Sequence, residues 1–150
     1  MMLLKDLSKA NYAAVMDSHG WSYLAPMESG EDGFRYPLVL GAKTPVTLRV
    51  AMTKNGVGIG GDKPLSPAQR QELRAIAGHM LSLDFPLPEF LEMCRRKKAK
   101  LLLRLARDGW GRMLRSPTWW EDAVKTLCTT NASWGYMPVA TWERLWHGRA

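Results

Sequence analysis

The sequence predicts an α+β fold, in which an N-terminal antiparallel sheet with helices is followed by the first helices of an all-α domain. Residues 34–40 and 46–52 have the apolar composition and alternation of strands with one buried face. Asn55-Gly56 is a strong hairpin pattern, and apolar alternation resumes directly after it. Helical spacing starts only after Pro64, so we expect strands joined by tight turns and then a run of helices.

The segments around these strands have weaker patterns. Residues 3–16 form an opening segment whose type the sequence leaves uncertain, and residues 21–24 are apolar enough for a strand. Residues 28–33 are a polar cluster that predicts a turn. In the strand over 46–52, the apolar residues predicted to share one face are Val46, Leu48 and Val50.

Five helices are predicted after the strands. The first begins at Ser66, because Pro67 and Gln69 complete a capping-box pattern with it. Three shorter helices cover residues 87–94, 102–109 and 139–146. The remaining helix opens at Ser116-Pro117 by the same capping logic, and its predicted core-facing stripe consists of Trp120, Val124, Leu127 and Cys128.

The positive charge of the chain is concentrated in its C-terminal part. The formal net charge is +7, yet residues 1–90 hold nine basic and nine acidic side chains. Residues 91–150 hold the other twelve bases and only five acids. Such asymmetry indicates a part of the chain that faces nucleic acid or an anionic membrane surface.

Few residues are suited to hold a metal ion or a cofactor. Cys94 and Cys128 are far apart and the three histidines are scattered, so we expect no metal and no cofactor. Two reduced thiols and an N-terminus without a signal-peptide pattern predict a cytoplasmic protein. The longest aliphatic run, residues 101–103, is too short to span a bilayer, so no membrane partner is expected.

Tryptophans crowd the C-terminal third of the chain. They could stack on nucleic-acid bases, but we favour the interpretation that most of them fill a helical core or cover a partner surface. These residues are Trp110, Trp119, Trp120, Trp134, Trp142 and Trp146.

One block of sequence carries a family resemblance. Residues 111–118 read GRMLRSPT, and residues 120–131 read WEDAVKTLCTTN. This block resembles the helix-hairpin-helix superfamily of base-excision DNA glycosylases, in particular the 8-oxoguanine and 3-methyladenine types. The N-terminal part agrees with the resemblance through residues 18–21 and the helix start at residues 65–67, so the similarity covers nearly the whole chain.

The resemblance implies a domain division and a set of DNA contacts. Residues 1–96 correspond to the N-terminal α+β domain, and residues 97–150 to the start of the helical domain. Family members bend double-stranded DNA, flip out a damaged base and hydrolyse its N-glycosidic bond. Asn131 matches the family asparagine beside the flipped base, although it could instead be a helix C-cap. The other DNA-binding residues expected on this basis are Thr130 and Ser133 near the strand gap, and Arg112, Arg115 and Lys125 at phosphates.

The chain departs from the family pattern in two places. Tyr136 stands where 8-oxoguanine members have an arginine, so specificity for that lesion is not expected. The glycine-rich hairpin and the catalytic aspartate of the family do not occur within the 150 residues, so no catalytic residue is assigned. We expect an N-terminal portion truncated before the hairpin, and inactive alone. The alternative is a non-catalytic module that binds DNA or protein.

Overall fold

The computed structural model describes residues 1–4 and 7–129 of the 150-residue chain. A short 3₁₀ helix covers Trp21–Tyr23. The strands are β1 (Met2–Leu4), β2 (Glu28–Gly30), β3 (Gly33–Leu40), β4 (Thr44–Thr53) and β5 (Gly56–Gly61). The helices are α1 (Lys9–Met16), α2 (Pro67–Met80), α3 (Leu87–Arg96), α4 (Lys100–Arg107) and α5 (Trp119–Thr129).

The strands form an antiparallel sheet in the order β1-β5-β4-β3-β2, and with the helices it confirms the predicted α+β class. Strands β2 to β5 are neighbours in chain order, whereas β1 returns to pair with β5 and sets Met2 opposite Ile59. The opening segment thus divides into a strand and helix α1. A strand of three residues is too short for alternation to reveal it.

Alternating burial along β3 and β4 gives the sheet an inner and an outer face. The inner face contains the predicted apolar set, and its buried members on β4 are Val46, Leu48 and Val50. Helix α2 packs over this face, and its buried residues are Leu73, Ala77 and Met80. Full burial stabilises a large aliphatic side chain by roughly 1.5–3 kcal/mol, so this layer supplies most of the core.

The hairpin before β5 and the capping box after it are both confirmed, although the hairpin turn lies one residue earlier than predicted. Thr53 pairs with Gly56, so the two turn residues are Lys54 and Asn55, and Gly56 already belongs to the strand. At the start of α2, Ser66 Oγ accepts a hydrogen bond from Gln69 N–H at 3.2 Å. Gln69 Oε1 accepts one in return from Ser66 N–H at 2.9 Å, which completes the capping box.

The strand predicted over residues 21–24 is wrong. Gly20 has a φ of 83°, and this left-handed conformation turns the chain just before the segment. Hydrogen bonds from Tyr23 N–H to Gly20 O and from Leu24 N–H to Trp21 O, both 3.1 Å, then close a 3₁₀ turn. The turn predicted over residues 28–33 is partly wrong as well, because its first half is strand β2 on the edge of β3.

Helix α5 begins later than predicted and presents a different face to the core. Its first turn is capped by Thr118, whose Oγ1 accepts a hydrogen bond from Glu121 N–H at 3.3 Å, and not by Ser116. Of the predicted apolar stripe, Trp120 and Leu127 are exposed. The face that turns inward lies one residue further round the helix and contains Lys125.

Candidate nucleic-acid interface

Helices α3 and α4 and the turn between them form a surface rich in positive charge, which we call the α3–α4 basic surface. Its exposed bases are Arg95, Arg96, Lys97, Lys98, Lys100, Arg104 and Arg107. The acidic residues on the same helices and their ends are Glu89, Glu92 and Asp108. Among the described residues, Arg95 alone of these bases has an ion pair, with Glu92 Oε2 at 3.1 Å. The rest of this charge faces solvent.

The turn between the two helices concentrates this charge. Lys98 has a φ of 54°, in the left-handed region, and Ala99 N–H donates to Cys94 O at 2.9 Å. The chain therefore reverses sharply between α3 and α4, and the bases at the end of α3 lie close to those at the start of α4. Arg95 and Arg96 in the last turn of α3 also interact favourably with the negative end of its helix dipole.

Arg112 and Arg115, predicted to contact phosphates, both lie in the extended segment before α5. Arg112 Nε donates to Ser82 O at 3.2 Å, and Arg115 N–H donates to Met80 O at 2.8 Å. Arg115 Nη1 lies 3.0 Å from Asp84 Oδ1 and 3.3 Å from His79 Nδ1. The structure thus brings these two arginines together, and it uses part of their hydrogen-bonding capacity to fasten the segment to the end of α2.

Lys125, the third residue predicted to contact phosphate, lies in the interior instead. It is only 2% exposed, and its Nζ lies 3.1 Å from Glu121 Oε1. Nζ also donates to Ser116 Oγ at 2.8 Å and to Tyr36 OH at 3.5 Å. It lies 5.5 Å from the centre of the Trp21 ring as well. Because this ammonium is enclosed, a phosphate contact from Lys125 is not compatible with its position, and that prediction is corrected.

The polar cluster around Lys125 fixes α5 to the sheet. The phenol of Tyr36, on β3, donates a hydrogen bond to Glu121 Oε1. Burial raises the pKa of Tyr36 far above its usual range, and the nearby Glu121 charge acts in the same direction. Burial also lowers the pKa of Lys125, while the charge of Glu121 opposes that shift. Glu121 and Lys125 are four residues apart on a helix, which in a sequence is the pattern of an exposed surface pair.

His19 borders the same cluster. Its ring centroid lies 4.7 Å from that of Trp21, and its buried Nδ1 has no hydrogen-bond partner among residues 1–4 and 7–129. Burial lowers the pKa of His19, although a backbone hydrogen bond involving Leu114 and the charge of Asp122 oppose the shift. No sequence pattern pointed to His19 as a buried group, because a lone histidine in a turn carries no periodicity or motif.

The remaining predicted DNA-binding residues, Thr130, Asn131 and Ser133, lie outside the described residues. So do the last predicted helix and the tryptophans at positions 134, 142 and 146. The description of α5 ends at Thr129, the residue that immediately precedes Thr130.

The face of α5 opposite Lys125 is aromatic and exposed. Trp119 is 75% exposed, Trp120 is 65% exposed and Leu127 is 70% exposed. The two indoles meet edge to face, with ring centroids 5.9 Å apart. Trp110 is exposed as well, so in the described part of the C-terminal third the tryptophans do not fill a core. The polar anchor at Lys125 sets the rotation of α5 and leaves its indoles outside.

Within residues 1–4 and 7–129, no helix has both the length and the apolar content needed to cross a membrane. The same residues contain no group of three or more His, Cys, Asp or Glu side chains placed to hold a metal ion. No protein-family model matches the chain, and no curated protein or solved structure matches it.

Proposed function

We propose that this chain binds double-stranded DNA as the N-terminal portion of a base-excision DNA glycosylase of the helix-hairpin-helix superfamily. The observation that carries the DNA part is the α3–α4 basic surface, where exposed lysines and arginines lie on two adjoining helices. Phosphate contacts of this kind dominate the affinity of proteins for DNA. The enzyme class rests on the resemblance of residues 111–131, and an antiparallel sheet ahead of helices agrees with the domain order it implies.

In this proposal the α3–α4 basic surface holds the phosphate backbone of the duplex. Helix α5, which carries much of the family resemblance, is anchored to Tyr36 of β3 by Glu121 and Lys125. By the same resemblance, Asn131 contacts the DNA beside the flipped base. A cytoplasmic location belongs to the same proposal, since the unpaired thiols of Cys94 and Cys128 are typical of a reducing compartment.

Salt-dependent binding of a labelled duplex, followed by fluorescence anisotropy, tests the DNA contact. The logarithm of the affinity should fall linearly with the logarithm of salt concentration, because each phosphate contact releases counterions. The triple variant K97Q/K98Q/K100Q should weaken binding and reduce the slope by about 2–3. The matched variant K43Q/K54Q/K63Q removes three exposed lysines elsewhere and should bind as the wild type does. Equal weakening by both triples, or affinity independent of salt, contradicts the proposal.

A glycosylase assay tests the enzyme class. We expect no release of 8-oxoguanine or 3-methyladenine from a duplex by residues 1–150, because the hairpin and aspartate of the family do not occur among them. Preferential binding of a duplex with an abasic-site analogue over an undamaged duplex would support the class. Measurable base excision by residues 1–150 would show that they contain a catalytic residue, which contradicts the proposal.

A second candidate function is a non-catalytic module that binds another protein. The exposed face of Trp119, Trp120 and Leu127 favours it, because tryptophans are enriched at the energetic centres of protein interfaces. The two candidates differ in the anisotropy experiment. A wild-type chain that does not bind duplex DNA even at low salt would favour the protein-binding module.

A further inference from the structure

A pair of arginines on the outer face of the sheet has no counterpart in the proposed DNA contacts. Arg35 on β3 and Arg49 on β4 are directly opposite each other in the strand register, and both are exposed. Like charges in this arrangement destabilise a sheet. Neither guanidinium forms an ion pair or hydrogen bond within the described part of the chain. The repulsion between these two adjacent cations therefore lowers the stability of the sheet.

These arginines form the floor of a groove of about 500 Å³ that runs across the strands. Glu28 lies at the β2 side, opposite Arg35 in the register, and Asp62 lies at the β5 side. Arg49 is opposite Gly60 on β5, and glycine has no side chain that could pair with the guanidinium. Across the sheet the charges therefore run in the order negative, positive, positive, negative.

The two carboxylates do not neutralise the arginines in the structure. Glu28 forms no ion pair with Arg35, although the two residues face each other on neighbouring strands. Asp62 Oδ1 accepts a hydrogen bond from Thr47 N–H at 2.9 Å, so part of its acceptor capacity is already used. Tyr23, whose side chain is exposed, and Pro37 contribute apolar surface to the same groove.

We propose that this groove binds the phosphate group of a small phosphorylated molecule between Arg35 and Arg49. Two guanidiniums match the charge of a phosphate dianion, and each can donate a bidentate pair of hydrogen bonds to its oxygens. The carboxylates of Glu28 and Asp62 at either end repel a continuous polyanion, which excludes a nucleic-acid backbone running along the groove. The apolar surface beside Tyr23 accommodates the organic part of the ligand. This site lies on the face of the sheet opposite α2 and is independent of the proposed DNA contacts.

Titration with inorganic phosphate, followed by NMR of the backbone amides and arginine Nε–H groups, tests the proposal. We expect saturable shifts around β3 and β4 in the wild type. The variant R35Q/R49Q should bind phosphate about tenfold or more weakly. The matched variant K43Q/K54Q removes two lysines from surface turns outside the groove and should leave phosphate binding unchanged. The variant E28Q should tighten binding, and a gain of affinity cannot result from impaired folding.

Three outcomes would overturn the proposal. The first is a wild type with no saturable response to phosphate, and the second is equal phosphate affinity in the wild type and R35Q/R49Q. The third is an R35Q/R49Q variant that loses affinity for duplex DNA, which would make the groove a nucleic-acid contact. Because the DNA test uses lysines of the α3–α4 basic surface, the failure of one proposal is distinguishable from the failure of the other.

Discussion

Lys125 shows how one buried polar residue sets the orientation of a whole helix. Its ammonium is surrounded by Glu121, Ser116, Tyr36 and Trp21, and this arrangement turns the Lys125 face of α5 toward the sheet. A stripe of apolar residues predicted a different face of the helix, because sequence periodicity assigns hydrophobic side chains to the core by default. The error follows from a specific polar network that local sequence cannot reveal.

The buried ion pair predicts a large loss of stability when one partner is removed. Lys125→Met should lower the free energy of unfolding by about 3 kcal/mol, because Glu121, whose side chain is only 12% exposed, is then left without its cation. The double variant K125M/E121Q should recover part of this loss, since glutamine keeps an acceptor for Tyr36 without the charge. Urea denaturation measures both. Lys43→Met, on the surface, is the control, and an equal small effect of both single variants would contradict the argument.

His19 predicts a loss of stability in mild acid. Its folded-state pKa lies below the ordinary 6.5, so the unfolded chain takes up a proton at a higher pH than the folded chain does. The stability linked to neutral His19 is therefore complete above pH 6.5 and declines as the pH falls toward the lowered pKa. His19→Phe keeps a ring against Trp21 and removes the titration.

Chemical denaturation at a series of pH values from 7.5 to about 5 tests this dependence on protonation. The free energy of unfolding of the wild type should decline with falling pH more steeply than that of His19→Phe. Parallel curves for the two proteins would show that His19 does not titrate differently in the folded and unfolded states.

At the scale of elements, the β2–β3 turn depends on one position without a side chain. A Cβ built on Gly33 would lie 1.9 Å from Val50 O on β4, so any side chain forces the two strands apart. Gly33→Ala should destabilise the protein by at least about 3 kcal/mol, at the upper end of overpacking effects. Gly30→Ala, whose Cβ would lie 4.0 Å from its nearest neighbour, should change stability by only about 0.5 kcal/mol. Thermal unfolding compares the two, and similar midpoints would contradict the close approach of β3 to β4.

The elements that the sequence predicted correctly have local causes. The hairpin at Asn55-Gly56 and the capping box of Ser66 and Gln69 are each determined by residues a few positions apart. Strand β1 depends on a pairing with β5 more than fifty positions away, and the face that α5 turns inward depends on contacts with β3. Such long-range partners override local preference, which is why these elements were missed or misplaced.

At the scale of the whole molecule, the structure divides the basic C-terminal part into two kinds of charge. The bases of the α3–α4 basic surface face solvent, while Arg112 and Arg115 are bonded to the loop after α2 and Lys125 is enclosed. The net charge of a segment indicates an anionic partner, but it does not distinguish basic side chains that face solvent from those that form bonds within the protein. The groove that contains Arg35 and Arg49 could not be predicted from the sequence, because only the register of β3 and β4 brings these two residues together.

The short outer strands of the sheet have a consequence for self-association. Among the described residues, β1 and β2 form the two rims of the sheet, and each is three residues long. A long rim exposes unpaired N–H and C=O groups on which another chain can build a strand, and this is a common route to aggregation. Here the longest strand, β4, lies between β3 and β5, whereas β2 pairs only with Gly33–Arg35 of β3. The uncovered part of β3 contains Pro37, which has no backbone N–H to donate to an added strand. Two rims of three residues and a proline on the uncovered edge thus limit the growth of the sheet by strand addition.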